Sequence, residues 1–211
     1  YVATSNVHDL DKARELAQLA CKCEPGYMKP FDMLSNIGFS YISTEESIEL
    51  DKANQIFQNI SYHKPFESAY GLGLVYSLVY RYQDSINKFE EAIVLNTSDY
   101  AAWGNKGASL ANLNRYDEAV DAYDRAIELN QKKAWIWSNK GSALYSLARY
   151  NESLQASEKA IELNPKSSLA WAKKGNALVK LGRYNESLDA YEEAIELDPK
   201  SSSAWTNKGA A

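Results

Sequence analysis

The sequence predicts an all-α fold, a solenoid of antiparallel helix pairs, on three observations. Trp103, Trp137, Trp171 and Trp205 stand 34 residues apart, and Gly107, Gly141, Gly175 and Gly209 keep that spacing four residues behind them. A fixed period of this size marks stacked supersecondary units. Within each unit, apolar and small residues recur at steps of four and three, which puts them on one stripe of a helix. Cap and breaker residues return at constant places between the stripes.

Residues 1–30 carry one helix over 6–23, where Leu10, Ala13, Leu16, Ala17 and Ala20 share a face. Asn6 is its expected cap, and Pro25 with Gly26 its stop. Ala13, Ala17, Ala20 and Pro25 keep the spacing of Ser187, Tyr191, Ala194 and Pro199, so the segment reads as the rear half of a truncated repeat. Residues 31–65 form a degenerate unit. Its Leu34, Ile37, Gly38 and Tyr41 match Ala69, Leu72, Gly73 and Tyr76, and its Ala53, Phe57, Ile60 and Pro65 supply a rear half. Tyr41 to Ala53 spans 12 residues where Tyr76 to Ser85 spans nine, so three extra residues lengthen the turn around 43–46. Ser43 followed by Glu46 is a capping-box pattern that restarts the helix there.

Four units follow in register, 66–99, 100–133, 134–167 and 168–201, with 202–211 opening another. The leading helix of each carries Ala69, Trp103, Trp137 or Trp171, then Gly73, Gly107, Gly141 or Gly175, then Tyr76, Leu110, Leu144 or Leu178. Mid-helix Gly costs about 1 kcal/mol relative to Ala, so its recurrence at one place implies a close helix approach. The trailing helix answers with a small, large, small stripe: Ser85, Ala119, Ser153 or Ser187, then Phe89, Tyr123, Ser157 or Tyr191, then an Ala. Ser157 breaks that stripe and marks a soft spot in 134–167. Asp117, Asn151 and Asn185 are the expected N-caps of the trailing helices, with a Glu behind each suiting the helix dipole. Helices are predicted over 31–43, 47–60, 66–80, 84–96, 100–113, 117–130, 134–147, 151–163, 168–181 and 185–197.

Composition narrows the function classes. A formal charge of −5 and a pI near 5.2 argue against a nucleic-acid footprint, which needs a clustered basic face. The longest apolar run, Leu72 to Tyr80, is too short to cross a bilayer, so no membrane insertion is expected. Cys21 and Cys23 point about 200° apart on a helix and have no zinc spacing around them, so they read as free thiols and no metal or cofactor is expected. Free thiols favour a reducing compartment, and the expected localisation is cytoplasmic. Because the chain begins at Tyr1 and stops partway through a unit, it reads as part of a longer polypeptide, and its open repeat end is expected to be prone to self-association. His8 and His63, the two histidines, lie outside the well-formed repeats, and no nucleophile and base pair or phosphate loop is evident, so no enzyme activity is expected. The acids of the trailing helices, such as Asp121, Asp124 and Glu128, read as solvated faces.

The order Trp, Gly, Leu or Tyr, then Ala or Ser, Tyr or Phe, Ala and Pro on this period resembles the tetratricopeptide repeat, strongly over 66–211 and weakly over 31–65. One departure is the lysine before each Gly, Lys106, Lys140, Lys174 and Lys208, where the family carries a large aliphatic residue. The resemblance implies a right-handed superhelix whose leading helices line a concave groove. It places Asn36, Asn105, Asn139, Lys173 and Asn207, two residues before the Gly of each unit, in that groove, with Gly71 interrupting the row. Tyr70, Trp135, Tyr145, Asn176 and Lys180 are the other groove residues it implies. A row of amides can hydrogen-bond the backbone of an extended peptide, and Trp135, outside the core stripe, is the candidate anchor. The clamp that some members close on a C-terminal carboxylate is mostly absent: Gly104, Ala108, Asn139, Leu169 and Lys173 fall at its positions. The expected function is a non-catalytic scaffold binding a peptide or protein segment in the groove. The alternatives are a regulatory or substrate-presenting arm of a larger enzyme and a structural self-assembly module.

Overall fold

The computed structural model describes residues 7–23, 28–43 and 47–210, with side chains over 10–22, 28–43 and 49–209. Asn6, Pro25, Gly26 and Glu46, to which caps and stops were assigned above, lie outside the described residues, as do the side chains of His8 and Cys23. All regular structure among the described residues is helical, and the predicted bounds agree with the observed ones to within two residues. The chain divides into two compact units, Tyr1–Ser98 and Asp99–Ala211.

The first unit holds α1 (Val7–Cys23), α2 (Lys29–Ile42), α3 (Ser47–Asn59), α4 (Pro65–Leu78) and α5 (Tyr82–Leu95). Its core gathers Ala17 of α1, Leu34, Ile37 and Tyr41 of α2, Ile56, Phe57 and Ile60 of α3, and Leu72 and Val75 of α4. Tyr41 is fully buried, its hydroxyl donates to Asp11 of α1 at 2.7 Å, and Lys52 of α3 reaches the other oxygen of that carboxylate at 2.8 Å. His63 is stacked on Phe31, with ring centroids 3.9 Å apart. Ser43 serves the end of α2, donating its hydroxyl to the Ser40 carbonyl at 2.6 Å.

The second unit stacks α6 (Tyr100–Asn112), α7 (Tyr116–Leu129), α8 (Ala134–Ser146), α9 (Tyr150–Leu163), α10 (Ser168–Lys180), α11 (Tyr184–Leu197) and α12 (Ser202–Ala210). The recurring Gly is where trailing-helix rings press on leading helices. A Cβ at Gly73, Gly107 or Gly175 would stand 2.7, 2.8 or 2.6 Å from the ring of Phe89, Tyr123 or Tyr191. The small residue one turn earlier on the trailing helix also has a polar task, since the Ser85 and Ser153 hydroxyls donate to the carbonyls of Gly73 and Gly141, both at 2.8 Å. Each bond ties a trailing helix to the leading helix of its own pair.

The period extends to groups that composition does not reveal. The indole N–H of Trp137, Trp171 and Trp205 donates to the carbonyl of Gln131, Pro165 and Pro199, at 3.0, 3.0 and 3.1 Å. Each Trp thus satisfies its one polar group on the loop that leads into its own helix. The lysines before the Gly residues find a shared environment. Lys106, Lys140 and Lys174 lie over Trp103, Trp137 and Trp171 at 5.4, 5.7 and 5.5 Å from the ring centroids. Lys140, Lys174 and Lys208 also pair with Asp124, Glu158 and Glu192 on the preceding trailing helix. The stems cover the rings and the charges are met by acids, which removes the cost of a cation at a semi-apolar position. Asp124, Glu158 and Glu192 therefore do more than solvate a face.

The trailing helices start one residue before the positions assigned to their caps. α7, α9 and α11 begin at Tyr116, Tyr150 and Tyr184 after Arg115, Arg149 and Arg183, which make no side-chain capping bond. Asp117, Asn151 and Asn185 consequently sit inside the first turn. The work at these ends falls to the pairs Arg115 with Glu118, Arg149 with Glu152 and Arg183 with Glu186, each bridging at 2.6 Å. True side-chain caps occur on leading helices, where Asp99 accepts from Ala102 N at 2.7 Å and Ser167 from Ala170 N at 3.3 Å. Between the helices of each pair, Tyr80, Asn114, Ala148 and Gly182 adopt positive φ of 62, 60, 57 and 73°. The next residue closes a six-residue ring, as in Arg149 N to Leu144 O at 2.9 Å, which is the Schellman arrangement.

Candidate functional site

In the second unit, successive leading helices are joined by residues that the sequence places in the binding row. Trp135 of α8 lies on Gly104 of α6: a Cβ at Gly104 would stand 2.3 Å from its ring. Trp135 is 37% exposed, so one part of the ring packs and the other meets solvent. Lys173 of α10 donates to the carbonyl and hydroxyl oxygens of Ser138 on α8, at 3.0 and 2.9 Å. Asn207 of α12 donates to Asn176 Oδ1 on α10 at 3.0 Å, and that oxygen also accepts the Tyr191 hydroxyl at 2.7 Å.

The row is therefore not a uniform ladder of free amides. Asn105 and Asn139 are half-buried on α6 and α8, while the Asn207 amide and the Asn176 carbonyl are engaged with each other. Lys173 is also half-buried, and burial without a facing carboxylate lowers its pKa to about 8. Tyr145 stands edge-on to Tyr150, with centroids 5.4 Å apart, and Lys180 is exposed in the last turn of α10.

A cavity of about 160 Å³ opens beside this group, lined by Gly141, Ser142, Tyr145, Ser153, Lys173 and Asn176 among others. It lies where the third repeat departs from its neighbours. Gly141 faces the Ser157 hydroxyl at 3.2 Å, measured from an added Cβ, in place of an aromatic ring.

In the first unit the expected residues serve differently. Asn36 is exposed on α2. Tyr70 of α4 belongs to an aromatic cluster with Phe66 and Phe89, at centroid distances of 5.9 and 5.8 Å. Gly71 interrupts the row because Phe57 fills its place, 2.4 Å from where a Cβ would stand. A sequence reading can find this only by asking which ring answers each Gly.

Among the described residues, no group of three or more His, Cys, Asp or Glu could hold a metal ion. Cys21 is a free, half-buried thiol. No helix among the described residues is long and apolar enough to cross a membrane.

Stacked helix pairs with a residue row along the leading helices define a helical-repeat protein. Family models described as tetratricopeptide repeat match residues 100–133, 136–167 and 156–189, and one described as TPR repeat matches 175–211. The chain belongs to the tetratricopeptide repeat family. No curated protein matches it. Among solved structures, it is similar to MamA, at 25% identity over 72% of this chain and 90% of that one, with a TM-score of 0.67. It is similar in fold to YrrB, described as a TPR protein with an unusual peptide-binding site, at 21% identity over 93% of this chain and 100% of that one, with a TM-score of 0.74. The TPR domain of Arabidopsis OM64 resembles it at 25% identity over 53% of this chain and 92% of that one, with a TM-score of 0.52.

Proposed function

We propose that the protein is a non-catalytic interaction scaffold that binds an extended peptide segment along the leading helices of Asp99–Ala211. The observation that carries this reading is Lys173. It holds an ammonium in a half-buried position, spends two of its three N–H donors on Ser138 and faces no carboxylate among the described residues. A cation kept dehydrated without a counter-charge is costly for stability alone, and it offers its remaining donor to a carbonyl or carboxylate brought from outside. Asn139, the exposed edge of Trp135 and Tyr145 supply further polar and aromatic contact around it. The peptide-binding description of YrrB and the repeat family itself support the same class of activity.

The test is a selection of random peptides displayed on phage, followed by affinity measurement of the recovered sequences. Trp135→Ala combined with Asn139→Ala and Lys173→Ala should weaken binding at least tenfold, whereas Asp121→Asn with Glu128→Gln on α7 should change it less than twofold. The reverse ranking, with all variants folded by circular dichroism, would move binding to the trailing helices and overturn the proposal.

A further inference from the structure

We infer that the segment bound along the leading helices of Asp99–Ala211 is acidic: one side-chain carboxylate enters the cavity at Lys173 and Asn176, a second meets Lys180, and an aliphatic side chain rests on Trp135 and Leu169. The inference rests on the peptide-binding reading above and adds the chemical class of the segment.

Charge is segregated by helix in this unit. The leading helices α6, α8, α10 and α12 carry Lys106, Lys140, Lys173, Lys174, Lys180 and Lys208 and no Asp or Glu. The trailing helices α7, α9 and α11 carry five, three and five carboxylates, with Arg125 and Lys159 as their cations. In a chain of net charge −5, the leading helices are therefore the surface from which acids are excluded. An acidic segment is repelled by the trailing helices and meets no like charge on the leading ones, whereas a basic segment is drawn to the trailing side.

Four of the six lysines are occupied. Lys140, Lys174 and Lys208 pair with acids of the preceding trailing helices, and Lys106 lies over Trp103. Lys173 and the exposed Lys180 have no carboxylate partner among the described residues. Both belong to one stripe of α10, on which Leu169, Lys173, Asn176 and Lys180 follow at steps of four, three and four. Asn176 Oδ1 already accepts from Tyr191 and Asn207, so its amide N–H groups are what it has left to offer. Lys173 likewise has one N–H beyond the two it gives to Ser138. Both residues line the cavity of about 160 Å³. Donors from a cation and an amide, with no anion beside them, suit a carboxylate.

The apolar contact lies at the other end of the stripe. Leu169 is 59% exposed on the first turn of α10, and Trp135 holds the equivalent place on α8 with its solvent-facing edge. A segment along α10 thus meets apolar surface first, then Lys173, then Lys180. Seven residues of helix separate the two lysines by about 10 Å, so their carboxylates come from different residues of the segment and not from one chain end. Asn176 and Lys180 also stand outside the positions of the C-terminal carboxylate clamp.

The test uses the peptides recovered from the random phage library, made as C-terminal amides. They should be net acidic, with an aliphatic residue next to the acids. Replacing their Glu and Asp by Gln and Asn should weaken binding at least tenfold, as should about 0.5 M NaCl. Lys180→Glu, a change at an exposed position, should weaken the acidic peptides at least tenfold and bind their Lys-substituted versions better than the wild type does. In Lys173→Met, one of the single Glu→Gln replacements should lose its effect, while Leu169→Ala should cost severalfold at every acid content. Recovered peptides that are neutral or basic, or that bind Lys180→Glu undiminished, would overturn the acidic assignment and leave the peptide reading standing. A tenfold gain on replacing the amide by a free C-terminus would assign Lys173 to a chain end and overturn the side-chain assignment. Failure to recover any peptide would overturn the peptide reading, and this inference with it.

Discussion

Lys173 Nζ donates to both oxygens of Ser138, at 3.0 and 2.9 Å, so an ammonium helps to tie α10 to α8. Burial lowers its pKa to about 8 from the usual 10.5. Below pH 8 the lysine is charged in both states, and the folded state bears the full cost of holding that charge out of water. Between pH 8 and 10.5 the unfolded chain binds the extra proton, so this residue's contribution to stability rises with pH. Buried tyrosines and Cys21 act in the opposite sense at the alkaline end, because burial raises their pKa values. The informative quantity is therefore a difference between variants. Lys173→Met should be more stable than the wild type at pH 7, and the gap should narrow by pH 9.5 in urea titrations. A gap independent of pH would show that Lys173 is not dehydrated in the fold.

The same substitution at equivalent glycines should have opposite consequences. Gly107→Ala drives a methyl to 2.8 Å from the Tyr123 ring, and overpacking of that kind costs about 1–3 kcal/mol. Gly141→Ala meets a rotatable hydroxyl at 3.2 Å and gains about 1 kcal/mol of helix propensity, so it should be neutral or stabilising. Thermal midpoints of the two variants, measured side by side, check the contrast.

The turns give a third pair. Ala148 and Gly182 occupy equivalent exposed positions at φ of 57 and 73°. An L-residue is strained there, by about 1–2 kcal/mol, while glycine is not but is more disordered when unfolded. Ala148→Gly should raise stability by up to about 1 kcal/mol and Gly182→Ala should lower it by a similar amount. Chemical denaturation of both resolves the sign.

The charged rungs should matter little. Lys174 with Glu158 is a partly exposed pair at 3.2 Å, and such pairs contribute about 0–1 kcal/mol. Glu158→Gln should lower stability by under about 1 kcal/mol, and the loss should shrink in 1 M salt.

Helix positions were legible in the sequence because each stripe of apolar and small residues repeats with the Trp and Gly landmarks, leaving a slip of two residues at most. The caps of the trailing helices were misplaced because Asp117, Asn151 and Asn185 have good capping chemistry but stand two residues past the cap position, behind an Arg and a Tyr whose side chains give no cap signal. The turns were readable in principle: Asn114 and Gly182 favour positive φ, and Ala148 and Tyr80 share their period. The binding row was legible as a set of positions and not as a set of free groups. Nothing in the sequence says that Asn207 spends its amide on Asn176, or that Trp135 leans on Gly104, since both depend on how one repeat stacks on the next. The soft spot at Ser157 was visible from the interrupted stripe, but its consequence, a fully buried hydroxyl without a hydrogen-bond partner, is a property of packing.

The measurement that bears most directly on the account is amide chemical-shift mapping of a selected peptide on the labelled protein. Binding along the leading helices should perturb α6, α8 and α10, centred on Asn105, Asn139, Tyr145 and Lys173, and leave the exposed acids of α7, α9 and α11 unmoved. Perturbations concentrated on Asp121, Glu128, Asp189 and Glu196 of α7 and α11 would contradict it.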